Sequence, residues 1–118
     1  MQRLIFILIF IVGAALSAAG QDNYYQKKAE SYMREAEYYR KKADGYQREA
    51  EYYLKKARGY QNEAAYYSKK GDLDRARTYS RYAEDAIDDY ETQMRYAEQA
   101  AEKAATYMQW AADALERI

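Results

Sequence analysis

The chain contains no cysteine, no proline and no histidine among its 118 residues, and only 5 glycines. Without cysteine there is no disulfide framework and no thiolate to hold a metal. Without histidine the commonest general base and metal ligand is missing. These absences turn the expectation away from an enzyme and away from any metal or other cofactor. The lack of proline points towards long unbroken helices, because proline in a helix interior costs about 3 kcal/mol. Charge of one sign is also missing, since 19 basic and 19 acidic residues cancel. Nucleic acid is bound by clustered positive charge, so it is not an expected partner.

What the chain has in abundance is tyrosine, 16 in all. Most of it lies between Tyr24 and Lys70, which reads YYQKKAESYMREAE, YYRKKADGYQREAE, YYLKKARGYQNEAA and a partial YYSKK. This is a 14-residue unit, two heptads long, repeated three times and begun a fourth. Tyr25, Ala29, Tyr32, Ala36, Tyr39, Ala43, Tyr46, Ala50, Tyr53, Ala57, Tyr60, Ala64 and Tyr67 follow steps of four and three, which keep one stripe on one side of a helix. Alanine takes heptad position a and tyrosine position d. Lys27, Arg34, Lys41, Arg48, Lys55, Asn62 and Lys69 fall at position f, a solvated face.

The first 20 residues are of another kind. Arg3 precedes an apolar run from Leu4 to Leu16, and Ser17, Ala18, Ala19 and Gly20 are small enough for a cleavage site. The pattern is that of a secretory signal peptide, too short in its apolar part for the ~20 residues of a spanning helix. The mature chain, 21–118, is expected outside the cytoplasm, extracellular or periplasmic. A membrane is a partner only if the N-terminal segment stays attached. Helix is expected over 23–70, with Asp22 and Asn23 able to cap its start.

Gly71 interrupts the pattern. It suits the left-handed residue that ends a helix, and Asp72 can cap a second helix over 72–117. The 14-residue wording is lost there, but Leu73, Ala76, Ser80, Ala83, Ile87, Tyr90, Met94, Ala97, Ala101, Ala104, Met108, Ala111, Leu115 and Ile118 continue in steps of three and four. Two helices of matched length around a tight turn predict an all-α fold, a long antiparallel helical hairpin of coiled-coil type. Folding about Lys70 pairs residues whose numbers add to 140, so Tyr67 meets Leu73, Tyr46 meets Met94 and Tyr39 meets Ala101, with Ala–Ala layers such as Ala43–Ala97 between them.

At the turn, Tyr60, Ala64, Tyr67, Gly71, Asp72, Ala76 and Ala83 follow the small-and-aromatic spacing of a tetratricopeptide repeat, and residues 60–83 resemble one such helix–turn–helix. Glu63, Ser80 and Asp88 depart from that motif, and no 34-residue period exists elsewhere. The resemblance implies a helical binding module that recognises a protein or glycan partner. The tyrosine-rich composition also loosely resembles secreted adhesive and silk-like proteins, which implies tyrosine oxidation or crosslinking.

A second stripe lies beside the seam. In the first helix it carries Tyr24, Ser31, Tyr38, Gly45, Tyr52, Gly59 and Tyr66, and in the second Arg75, Tyr82, Asp89, Tyr96, Lys103, Trp110 and Arg117. The hairpin register sets Tyr82 beside Gly59, Tyr96 beside Gly45 and Trp110 beside Ser31. Glycine costs about 1 kcal/mol in a helix interior, so Gly45 and Gly59 need a reason, and room for a partner's ring is one. The expected interface is Tyr38, Gly45, Tyr52, Gly59, Tyr82, Tyr96 and Trp110. Glu84, Asp85, Asp88, Asp89 and Glu91 read as a solvated acidic patch, since a helix supplies no loop carbonyls to a cation. The expected function is a secreted, non-catalytic structural protein whose partner is itself, assembling as a bundle or filament. The alternative is the binding module.

Overall fold

The computed structural model describes residues 20–118, so the expected signal segment lies, but for Gly20, outside the described residues. Among the described residues there are two helices, α1 over Gly20–Lys69 and α2 over Leu73–Glu116, of 50 and 44 residues. The chain is an all-α helical hairpin. Asn23 does not cap α1. Nothing between Gly20 and Asn23 breaks a helix, and extending one costs less than nucleating one, so the helix continues back through both.

The turn is built as its residues dictate. Gly71 takes φ +81°, a conformation that an L side chain opposes. Its N–H donates to the carbonyl of Ser68 at 3.1 Å, while the Asp72 N–H reaches back to the carbonyl of Tyr67 at 2.9 Å. That pair of bonds is a Schellman motif, which satisfies carbonyls left over at the end of α1. Asp72 then caps α2, its Oδ1 accepting the Arg75 N–H at 3.2 Å.

Contacts divide the described chain into a turn unit, Ala43–Glu98, and a terminal unit that combines residues 20–42 with Gln99–Ile118. In the terminal unit Ala29, Ala36, Met108, Ala111, Ala114 and Leu115 form the buried cluster, with Tyr32, Met33, Tyr107 and Ile118 packed against it. In the turn unit the buried side chains are Ala43, Ala50, Ala57, Ala83, Ala86 and Ala97. The alanine positions of α1 are thus buried from Ala29 to Ala57, and Ala64 is half-buried.

In the terminal unit Ala104, Met108, Ala111 and Leu115 are buried along the expected seam of α2, but in the turn unit the seam differs from expectation. Leu73 is 57% exposed, Met94 38%, and Ser80 is exposed, whereas Ala86, Ala100 and Ala114 are buried. The helix is turned so that Ala83/Ala86, Ala97/Ala100 and Ala111/Ala114 face inward. In the turn unit large rings project from α1, and small residues opposite let the backbones come close enough to cover them.

Behind this lies a repeat in α2 itself: LDRARTYSRYAEDA, IDDYETQMRYAEQA and AEKAATYMQWAADA, followed by LERI. The residues constant in all three copies are a threonine and the two buried alanines. Thr78, Thr92 and Thr106 each donate a hydroxyl to the carbonyl four residues earlier, of Asp74, Asp88 and Glu102, at 3.0 Å. Both helices therefore carry a 14-residue period.

Candidate interface: an aromatic flank

In α1 the two adjacent tyrosines of each repeat have different tasks. Tyr25, Tyr39, Tyr53 and Tyr67 at position d are half-buried, while Tyr24, Tyr38, Tyr52 and Tyr66 at position c are 61%, 52%, 55% and 49% exposed. Each exposed ring stands edge-on to its neighbour, with centroids 5.1, 5.1, 5.4 and 5.2 Å apart. A lysine one turn later lies over each: Lys28, Lys42, Lys56 and Lys70, at 5.5, 5.2, 5.3 and 4.7 Å from the centroid. An exposed ring held on two sides has little rotamer freedom left to lose on docking.

The α2 row supplies the other edge. In the turn unit Tyr82 packs against Tyr60 at 5.5 Å and Tyr79 at 5.8 Å, and Tyr96 packs against Tyr46 at 5.5 Å. In the terminal unit Trp110 packs against Tyr32 at 5.6 Å and Tyr107 at 5.3 Å. Tyr82, Tyr96 and Trp110 remain 47%, 42% and 47% exposed, so each uses part of its ring within the hairpin and leaves part to water.

These contacts add ring and cation partners that the expected pairing does not include. Tyr67 stacks on Tyr79 and lies under Arg75, Tyr46 meets Tyr96, and Tyr39 stacks on Tyr107 and lies under Lys103. In each unit the α2 row meets the d-tyrosines at numbers adding to 142, as in Tyr60–Tyr82, Tyr46–Tyr96, Tyr32–Trp110 and Tyr25–Arg117. The rings therefore sit against the residue that follows Gly59, Gly45 or Ser31, and they do not fill the glycine positions. A Cβ added at Gly45 or Gly59 would meet nothing within 4 Å. The gaps are open.

Tyr79 and Tyr107, which cross between the helices, belong to neither stripe that the heptad alone picks out. The signal for them is the α2 repeat, in which Tyr79, Gln93 and Tyr107 occupy one position.

Local polar pairs run along the helices. In the terminal unit Arg40 donates from Nε to Glu37 Oε2 at 2.9 Å and from Nη2 to Oε1. This hydrogen-bonded pairing holds the Glu37 carboxyl below its ordinary value. Glu84, Asp85, Asp88, Asp89 and Glu91 are all exposed, and among the described residues no group of acidic side chains converges to hold a metal. A cleft of about 290 Å³ in the terminal unit is lined by Tyr24, Tyr25, Tyr32 and Trp110, with Lys28, Asp113 and Arg117 at its polar edge. No helix among the described residues is long and apolar enough to cross a membrane. Compared with known proteins, the chain matches no family model, no curated protein and no solved structure.

Proposed function

We propose that this is a secreted, non-catalytic structural protein that assembles with copies of itself through the aromatic flank, as a closed oligomer or a filament. The observation that carries the reading is the imbalance between core and surface. Among the described residues the buried side chains are alanines together with Met108 and Leu115, and no large side chain is fully buried. A buried methyl contributes only about 0.8 kcal/mol, so a seam of alanines stabilises a hairpin weakly. The large apolar surface lies instead on the flank, in Tyr38, Tyr52, Tyr82, Tyr96 and Trp110. Exposed aromatic rows of this kind mark interfaces, and a copy of the chain covering them would bury the apolar area that the seam lacks. Secretion rests on the composition of residues 1–20 alone.

Sedimentation velocity and negative-stain microscopy of the purified mature protein test this reading. Assembly that grows with concentration and needs no second component is the expected result; a monomer at every concentration ends it. A second reading, a secreted helical module that binds a protein or glycan, is favoured by the Tyr- and Trp-lined cleft with its Lys28, Asp113 and Arg117 edge. A monomer that binds an oligosaccharide in that cleft would point there.

A further inference from the structure

The turn unit contains one rung unlike the others. Reading α2 backwards against α1, Tyr67 has a cation over it, Arg75 at 5.4 Å, Tyr60 has the ring of Tyr82, and Tyr46 has that of Tyr96. Continued along the turn unit, the same register sets Asp89 level with Tyr53, whose numbers also add to 142. The terminal unit, taken by itself, also alternates cation and ring: Lys103 over Tyr39, Trp110 on Tyr32, Arg117 over Tyr25. A cation is thus the residue the pattern calls for at Tyr53, and an acid stands there. The adjoining diagonal is broken at the same level, with Gln93 where Tyr79 and Tyr107 stand.

The consequence is local and chemical. Among the described residues the ring contact of Tyr53 is with Tyr52, and no cation of α2 covers it. Asp89 is exposed and has no ion pair among the described residues. An uncovered tyrosine ring beside an unpaired carboxylate is a receptor for an ammonium or guanidinium group, which gains from both the ring and the charge. On the α1 edge of the same unit Lys56 stands exposed over Tyr52, three residues from Tyr53, about 4.5 Å along the helix.

We infer that the Tyr53–Asp89 rung receives Lys56 of a second copy of this chain, so that the contact carries two reciprocal Lys56–Asp89 pairs. The inference rests on the self-assembly reading and specifies its register. Seating Tyr82 and Tyr96 of one copy at the open Gly59 and Gly45 of another requires the α1 edge of each to face the α2 edge of its partner. That arrangement is isologous, and it brings each Lys56 to the partner's Asp89 at the level between the two glycines. The acid that interrupts the ladder within one chain is then the group that makes the flank complementary to itself.

Two charge reversals and their mixture test this. Lys56→Glu places two acids on the rung, and Asp89→Lys places two bases on it. Both positions are exposed, so circular dichroism should show parental helicity in each. Each variant alone should associate at least about tenfold more weakly than the parent in sedimentation velocity, because like charges would face each other across the contact. An equimolar mixture should recover parental association. In a mixed pair the acid introduced at position 56 faces the base introduced at position 89, and the unchanged Lys56 faces the unchanged Asp89. A lysine at position 89 could also cover Tyr53 within its own chain, but that effect would not be relieved by adding the Lys56→Glu protein. If the parent assembles and the mixture is no tighter than either variant alone, the pairing is wrong and self-assembly stands. If the parent is monomeric at all concentrations, the self-assembly reading fails and the pairing goes with it.

Discussion

Tyr39 and Tyr107 lie ring on ring, 5.8 Å between centroids and 6° from parallel. Tyr67 and Tyr79 repeat the arrangement in the turn unit, at 5.6 Å and 8°. Their residue numbers add to 146 in both cases, and Tyr53 with Gln93 falls on the same diagonal. Gln93→Tyr should therefore complete a third stacked pair. Stacked aromatic pairs contribute about 0.5–1.5 kcal/mol beyond area burial. The variant should raise the thermal midpoint at fixed protein concentration, and a midpoint equal to the parent's would mean that the stacks are incidental to stability.

The turned seam of α2 gives a contrast between two residues. Ala86 is 5% exposed and Leu73 57%. Ala86→Gln forces a longer polar side chain into a closely packed layer, where overpacking costs about 1–3 kcal/mol and an unpaired amide adds to it. Leu73→Gln should change stability by less than about 0.5 kcal/mol. Urea denaturation of both distinguishes them, and a larger loss at Leu73 would restore the seam that the heptad suggests.

The hairpin is legible in the sequence because each device that makes it is local. Ala and Tyr at steps of four and three define α1, and Gly71 with Asp72 supplies a left-handed turn and a cap. The facing of α2 is harder to read. Steps of three and four can be traced through Leu73, Ile87 and Met94 or through Tyr79, Ala83 and Ala86, and hydrophobicity favours the first. In the turn unit shape favours the second, since the tyrosines of α1 take the space that larger residues of α2 would need, whereas in the terminal unit Met108 and Leu115 of the first are buried. The constant Thr-x4-Ala-x2-Ala of the α2 repeat carries that information. The flank is legible as two rows of residues, but its geometry is not: cations over rings and edge-on neighbours depend on rotamers that spacing does not specify.

Three glycines separate backbone need from spare room. Gly71 holds φ +81°, whereas Gly45 and Gly59 lie within α1 in open space. Gly71→Ala should destabilise by about 1–2 kcal/mol, as a left-handed L residue does. Gly59→Ala should stabilise the hairpin by roughly 0.5–1 kcal/mol through helix propensity. Thermal melts of the two variants, at dilutions where each is monomeric, should move in opposite directions.

Glu37 is the carboxylate whose environment is most clearly perturbed, through its hydrogen bonds from Arg40. Its value in the folded chain lies below the ordinary 4.5, so its contribution to stability is present above that value. The contribution is lost as pH falls through the lowered folded value. The side chain is 43% exposed, so solvent screening keeps the effect below about 1 kcal/mol. An NMR titration should place the Glu37 midpoint below 4.5, and Arg40→Gln should move it back up. An unchanged midpoint in that variant would assign the shift to another cause.

The flank itself is best probed by filling a gap. Gly45→Gln adds a side chain whose Cβ meets nothing within 4 Å, so the fold has no steric reason to object. It should also gain roughly 0.5–1 kcal/mol of helix propensity, so weaker assembly could not be blamed on weaker folding. Tyr96→Ser, the opposite edit, removes a ring that is 42% exposed but also packs on Tyr46 at 5.5 Å. Part of its effect would therefore be lost hairpin stability, worth about 0.5–1.5 kcal/mol for the aromatic pair. The two edits agree only if a partner's ring occupies the gap. Truncating an aromatic at the centre of an interface commonly costs about 2 kcal/mol or more, and blocking its socket should cost as much. Both variants should then be helical yet assemble at least about tenfold more weakly across a dilution series, with Gly45→Gln the more stable to heat when monomeric. If Gly45→Gln assembles as the parent does, no ring enters at Gly45, and the open space there belongs to the repeat rather than to an interface.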